Sequence, residues 1–298
     1  MWTLLRGVGD ALAHARPALV GAALVLHIIG LVITGERWRV VIAALGSRLS
    51  LARTILINLA GIFVRNATPT TGLGGDASRI LLLKSEGVPL AQATASFAYV
   101  RLAEIPPIVL LVLLAAPVVT ARVRRSSTSL AIGAAIVALL AIVVWLRRSW
   151  LRAQLDTLVA RTAHLRIGRA AAASAIGYAT LAQIETVVRQ IVVAAACGMT
   201  LTVQQSATVT AMSIVGGFVP TVGSVGAIDG SIVAGLMLVG ADARTAVAIT
   251  LVERLISYGF STAAGAAALA VLGGRGVLRA AGAIDTSSPH EIPSQRAG

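Results

Sequence analysis

Lysine is almost absent from this sequence. Lys84 stands alone against 24 arginines, and all charged residues together make up 12% of the chain. A soluble domain of this length carries roughly twice that charged share. Aromatic residues are 4%, and the single cysteine, Cys197, excludes an internal disulfide framework. The four histidines, His14, His27, His164 and His290, are too scattered for metal-ligand spacing. Gly72-Leu73-Gly74-Gly75 follows no strand pattern and so is not a dinucleotide fingerprint. Ser224 has neither the flanking frame nor a histidine partner of a hydrolase nucleophile. These absences speak against the common enzyme classes, and no cofactor or metal is expected.

What the chain has instead is apolar residues, 57% of 298, with a mean hydropathy of +0.87. They come in runs near the ~20 residues that cross a hydrocarbon core as a helix. Residues 130–146 hold no charge, and 17–34 hold only His27. Seven spans follow: 17–34, 51–66, 92–119, 130–146, 170–196, 203–219 and 244–272. Pro106 and Pro107 should kink or break the third, because proline removes a helical donor and clashes with the turn before it. His27, on an apolar helix, is expected to be packed or hydrogen-bonded. The first apolar run is longer than the core of a cleaved signal peptide, and no such peptide is expected.

The formal charge of +13 rests on arginines that punctuate apolar segments. That pattern fits cytoplasmic loops under the positive-inside rule, and it lacks the continuous basic stripe of a nucleic-acid face. Residues 147–169 carry six arginines against Asp156, with leucines at near-helical spacing and Trp145 and Trp150 at one edge. They read as an amphipathic helix on the cytoplasmic, anionic leaflet. Residues 273–298 read as a disordered polar tail.

Two Gly- and Pro-rich stretches interrupt the apolar runs and match each other. The first contains Asn66, Pro69, Gly75, Asp76 and Arg79; the second contains Pro220, Gly223, Gly226 and Asp229. In each, the aspartate is followed eleven residues later by a glycine (Gly87, Gly240), and fourteen after that by an arginine (Arg101, Arg254). Aspartate, proline and arginine are scarce enough here that the ordered match points to duplication, with halves at about 18–146 and 170–272. Paired interrupted segments of this kind mark transporter binding sites. Short helices starting near Gly75 and Ala227 would aim free N–H groups at an anion such as a phosphate. Arg79, Arg101 and Arg254 would add charge-assisted hydrogen bonds. Equally, Asp76–Arg101 and Asp229–Arg254 fit ion pairs that fix packing, since a buried arginine needs a partner. Glu185 and Arg189, four residues apart, can pair along their helix and face a cavity.

At these motifs the chain resembles the flippase-like membrane domain family, the transmembrane region attached to lysylphosphatidylglycerol synthases. The resemblance runs from about residue 18 to 272. It is carried by Asn66, Pro69, Gly75-Asp76, Arg79, Arg101-Leu102-Ala103-Glu104, then Pro220, Gly223, Gly226, Asp229 and Arg254. The family usually shows Glu where Asp229 stands, and often Glu where Asp76 stands. The resemblance implies an all-α polytopic bundle of about seven or eight spans, with an internal two-fold repeat and two Gly/Pro-broken helices. It also implies translocation of a phospholipid or polyprenyl-linked lipid between leaflets of the cell membrane. With only a short stretch after the last span, aminoacyl transfer is not expected. Two other readings stand beside it: an accessory subunit for a separate synthase or glycosyltransferase, and a membrane enzyme acting on a lipid phosphate. If the broken segments cross the bilayer, the halves are inverted, which the positive-inside rule favours; otherwise they are parallel.

Overall fold

The structure, a computed structural model, describes residues 15–68, 73–123, 166–217 and 226–273. Among these every regular element is helical: α1 (Pro17–Ala44), α2 (Leu51–Ala67), α3 (Leu73–Ser85), α4 (Leu90–Val123), α5 (Arg169–Ala196), α6 (Val203–Gly217), α7 (Ala227–Leu238), α8 (Ala243–Arg254), a π-turn (Leu255–Phe260) and α9 (Ser261–Val271). The expected span 130–146, most of the basic segment 147–169 and the tail lie outside the described residues, as do Pro69, Pro220 and Gly223.

Among the described residues three helices are long and apolar enough to cross a membrane: α1, residues Leu90–Ala121 of α4, and α5. Their outer faces are apolar and open, with Val25, Ile28 and Ile29 on α1 and Ile105, Val109 and Leu113 on α4 all exposed. In water such faces would be a liability, whereas in lipid they cost nothing. The expected break at Pro106-Pro107 does not occur, and α4 continues through Pro106, Pro107 and Pro117. Transmembrane helices tolerate proline because neighbours and local adjustments satisfy the freed carbonyls. α2 and α6, at 17 and 15 residues, rise only about 26 and 23 Å and are shorter than the hydrocarbon core. The expected last span is composite, because α8, the π-turn and α9 follow one another without a gap.

The glycines of the sequence pattern stop helices. Gly87 after α3 and Gly240 after α7 both have positive φ, 85° and 109°. At each, the next residue's N–H reaches back to a carbonyl five residues earlier, Val88 to Leu83 at 3.1 Å and Ala241 to Leu236 at 2.9 Å. This is the Schellman end of a helix, which glycine adopts without a Cβ penalty.

Among the described residues two large apolar cores result, beside a small third one of Leu111, Val187 and Ala207. One gathers the C-terminal part of α1 with α2, α3 and α4, and takes Ala268 and Leu269 from α9. The other gathers Ala23 of α1 with the end of α5 and α7 and α8. α2 packs on α3 and α9, α6 packs on α7 and α4, and α1 lies along α5. At the α1–α2 crossing Gly35 faces Ile55, and on the α1–α5 seam Gly30 faces Glu185.

Candidate functional site

α1, α2, α3 and α4 enclose a cavity of about 170 Å³ lined by Arg37, Trp38, Asn58, Arg65, Arg79 and Arg101, among others. Its floor is a chain of alternating charges. Arg79 Nη1 donates to Asp76 Oδ1 at 2.8 Å, Arg101 Nη2 reaches Asp76 Oδ2 at 3.3 Å, Arg101 Nη1 donates to Glu104 Oε2 at 3.1 Å, and Arg37 Nη2 donates to Glu104 Oε1 at 2.7 Å. Local spacing makes two of these links, since Asp76/Arg79 and Arg101/Glu104 are three apart and share a helix face. Arg37 and Glu104 meet only because α1 packs on α4.

Aromatic faces hold the guanidiniums in place. The Arg79 guanidinium lies 5.9 Å from the ring centre of Trp38, and that of Arg101 lies 5.1 Å from Phe97. Trp38 is itself anchored through Nε1 to Ser96 Oγ at 3.0 Å. α3 comes this near to α2 because Gly75 faces it: a Cβ there would stand 2.5 Å from Arg65 Cβ and 2.6 Å from the Gly61 carbonyl oxygen. Without a Cβ at this position the two helices can approach this closely.

The charges around the cavity do not cancel. Among the described residues, the four lining guanidiniums (Arg37, Arg65, Arg79, Arg101) meet two carboxylates, Glu104 of the lining and Asp76 bound to Arg79 and Arg101, which leaves two positive charges. Arg65 makes no side-chain hydrogen bond or ion pair among the described residues, and its field is shared with Asp76, Arg101, Arg254 and Glu104. The Nε groups of Arg37 and Arg79 are buried and lack an acceptor among the described residues. Buried donors on charged groups are costly unless something accepts from them. The arrangement can therefore take an anion with several acceptor oxygens. Arg101, with 47% of its side chain exposed, forms the open side.

The second broken stretch has a pair of the same kind. Arg254 binds Asp229, again 25 residues apart like Asp76 and Arg101, and the Gly226 N–H donates to Asp229 Oδ2 at 2.8 Å. Gly226 takes φ 89° at the start of α7. The Arg254 guanidinium also lies 5.5 Å from the ring centre of Tyr258 in the π-turn. Arg254 is not among the residues lining this cavity: Arg79 and Arg101 meet there, while the charge of Arg254 is felt by Arg65.

Asn66 stands apart from the cavity as well. Its Nδ2 donates to Thr262 Oγ1 at 2.8 Å and its carbonyl accepts from the Tyr258 hydroxyl at 3.2 Å, which ties α2 to the π-turn and α9. Glu185 and Arg189 pair along α5 as expected, but they lie in a buried cluster with Glu253 instead of along this cavity. His27 is hydrogen-bonded, its Nε2 2.7 Å from Ser261 Oγ. Sequence reasoning missed Arg37, Arg65 and Glu253. A signal existed for Arg65, one residue before Asn66 in a duplicated stretch; Arg37 and Glu253 carry none that spacing reveals.

No solved structure matches this chain. A stretch of 79 residues is 35% identical to a UPF0104 membrane protein of Methanocaldococcus jannaschii, covering 26% of this chain and 24% of that relative, so the match spans about a quarter of the relative's length. The profile of the lysylphosphatidylglycerol synthase TM region matches residues 1–265, nearly the whole chain and all the elements around the cavity. This chain is a membrane protein that belongs to the family of lysylphosphatidylglycerol synthase TM regions.

Proposed function

We propose that the protein moves an anionic lipid, a phospholipid or a polyprenyl-linked lipid, between the leaflets of the cell membrane, with its headgroup passing through the arginine cavity. The observation that carries this reading is the excess of two positive charges between helices of a membrane protein, with buried donors aimed at no acceptor. Such charges inside a bilayer line substrate pathways or cavities. The lipid tails would follow the apolar outer faces while the headgroup crosses the polar interior. The protein performs no covalent chemistry in this reading.

The same reading treats the chain as one multi-pass domain of seven or eight spans in two related halves. It is supported by the matched Asp–Arg spacing and by the matched glycine stops. Packing is matched too, α2 on α3 and α9 against α6 on α7 and α4. The two interrupted stretches would then be discontinuous helices around a midplane site. A second reading draws on the ionic chain itself. Each carboxylate of the cavity already bridges two arginines, as a purely structural network would have it. In that case the protein is a membrane partner of a separate synthase or glycosyltransferase.

Purified protein in liposomes with leaflet-labelled lipids decides between them. Accelerated exchange of anionic lipids over neutral ones, lost in Arg101→Ala, is the expected result. No acceleration across a panel of phospholipids and polyprenyl phosphates would sink the transport reading.

A further inference from the structure

Away from the arginine cavity, a second ionic cluster is sealed between α1, α5 and α8. Arg189 Nε donates to Glu185 Oε1 at 2.8 Å, one turn back along α5, and Arg189 Nη1 donates to Glu253 Oε1 from α8. The three side chains are 6%, 8% and 9% exposed, in the order Arg189, Glu185, Glu253. Two carboxylates over one guanidinium leave one net negative charge, opposite in sign to the excess in the cavity. Glu253 Oε2 is buried and has no hydrogen-bond partner among the described residues.

The surroundings supply little to offset that charge. From α1, Gly30 lies flat against Glu185, where a Cβ would stand 2.6 Å from Oε2. The Thr186 hydroxyl is 3.4 Å from the same oxygen. Arg254, next in sequence to Glu253, is bound to Asp229. Gln190 accepts from the Thr210 hydroxyl. Among the described residues the other titratable group facing the cluster is His27 of α1, which feels Arg189 and shares a hydrogen bond with Ser261.

An isolated carboxylate in apolar surroundings is far more costly than a neutral carboxylic acid, and the group neutralises by taking a proton. We infer that Glu185, Arg189 and Glu253 form a buried proton-binding site, separate from the arginine cavity, in which the two carboxyls share one proton over a single guanidinium. One proton from water forms an O–H bond on a carboxylate oxygen, with Glu253 Oε2 the open position. The cluster then goes from one net negative charge to zero, and no electron moves. The site has a direct route to the second ion pair. Glu253 and Arg254 are consecutive, and the π-turn that follows them is a geometry frequent at functional sites. Loading or unloading the proton changes the charge beside Arg254.

The test is infrared spectroscopy of the full chain in lipid, titrated through neutral pH in light and heavy water. The expected spectrum holds a carbonyl stretch of an un-ionised carboxylic acid that persists well above the range where exposed carboxyls ionise, about pH 4. It shifts in heavy water and disappears both in Glu253→Gln and in Glu185→Gln, because either variant leaves one carboxylate over one guanidinium. Absence of the band in the unaltered protein, or its survival in either variant, overturns the proposal. So does its loss in His27→Gln alone, which would place the proton on a histidine-linked group instead. Should Glu253→Gln fail to fold, the unaltered titration and Glu185→Gln still decide. Arg65→Gln, which breaks no ion pair among the described residues, leaves the band intact, so a failure of lipid exchange and a failure of proton binding are read separately.

Discussion

Replacing Arg65 with Gln separates an anion site from a structural ion network more cleanly than any other change. Arg37, Arg79 and Arg101 each hold a carboxylate, so removing one breaks an ion pair and confuses folding with function. Arg65 holds none among the described residues, yet it lines the cavity. Placing an arginine near the bilayer centre costs about 2.5–3.5 kcal/mol on insertion scales. Asp76 and Glu104 offset part of that cost through their fields, while Arg101 and Arg254 add to it. Gln keeps the stem and the packing against Gly75 and removes the charge, lowering the excess from two to one. The midpoint of heat denaturation in detergent should therefore stay level or rise. Anion binding should fall, because a hydrogen bond to a charged group contributes about 1.5–3 kcal/mol. At about 1.4 kcal/mol per tenfold, that is a weakening of roughly 10- to 150-fold. The assay is titration of a short-chain phosphatidic acid into detergent-solubilised protein, with diacylglycerol as the neutral control and labelled-lipid exchange in liposomes as the functional readout. Unaltered binding and exchange in Arg65→Gln would refute the charge argument for the cavity. A large drop in the denaturation midpoint would refute the claim that Arg65 is held in place without a protein partner.

Exchanging the first pair, as Asp76→Arg with Arg101→Asp, should recover no more folded protein than Arg101→Ala. The swap sets an acid beside Glu104 and a guanidinium beside Arg79, and a yield on size-exclusion chromatography equal to the unaltered protein's would contradict this. Gly75→Ala forces α3 away from α2, because its Cβ meets the Gly61 carbonyl and the start of the Arg65 side chain. The expected destabilisation is about 1–3 kcal/mol, against no loss for Gly21→Ala, where nothing lies within 4 Å; equal denaturation midpoints for the two would disprove it. Asp242, in the turn before α8, caps that helix. The Thr245 hydroxyl at 2.6 Å and the N–H groups of Thr245 and Arg244 hold its carboxyl below the usual range. Its contribution is present above the unfolded value near 3.9 and is lost as pH falls through the lower folded value. Asp242→Ala should lower stability by about 1 kcal/mol at neutral pH and flatten the acid limb of the denaturation midpoint against pH, whereas an unchanged limb would rule the cap out.

Membrane residence was legible from the sequence, since run length and scarce charge leave few other folds for these helices. The link Glu185–Arg189 was legible too, because four-residue spacing puts side chains on one helix face whatever surrounds them; Asp76–Arg79 and Arg101–Glu104 obey the same rule at three-residue spacing but were not read as pairs. So was the pairing of Asp76 with Arg101 and of Asp229 with Arg254, through the repeated spacing of 25 residues. The continuity of α4 through its prolines was not, because neighbouring helices decide whether freed carbonyls find partners.

The rest belonged to the tertiary structure. Arg37 and Glu104 are 67 residues apart, Arg189 and Glu253 are 64 apart, and Arg65 gains its setting only where α2, α3 and α4 meet. Such meetings depend on how helices rotate and cross, which the close-approach glycines Gly30, Gly35 and Gly75 allow but do not announce. The sequence by itself therefore determined that charged groups sit inside a membrane bundle and which of them pair along a helix. Only the packing decided their sums, two positive charges in one chamber and one negative charge in another, because net charge in a low-dielectric interior is set by which helices share a space.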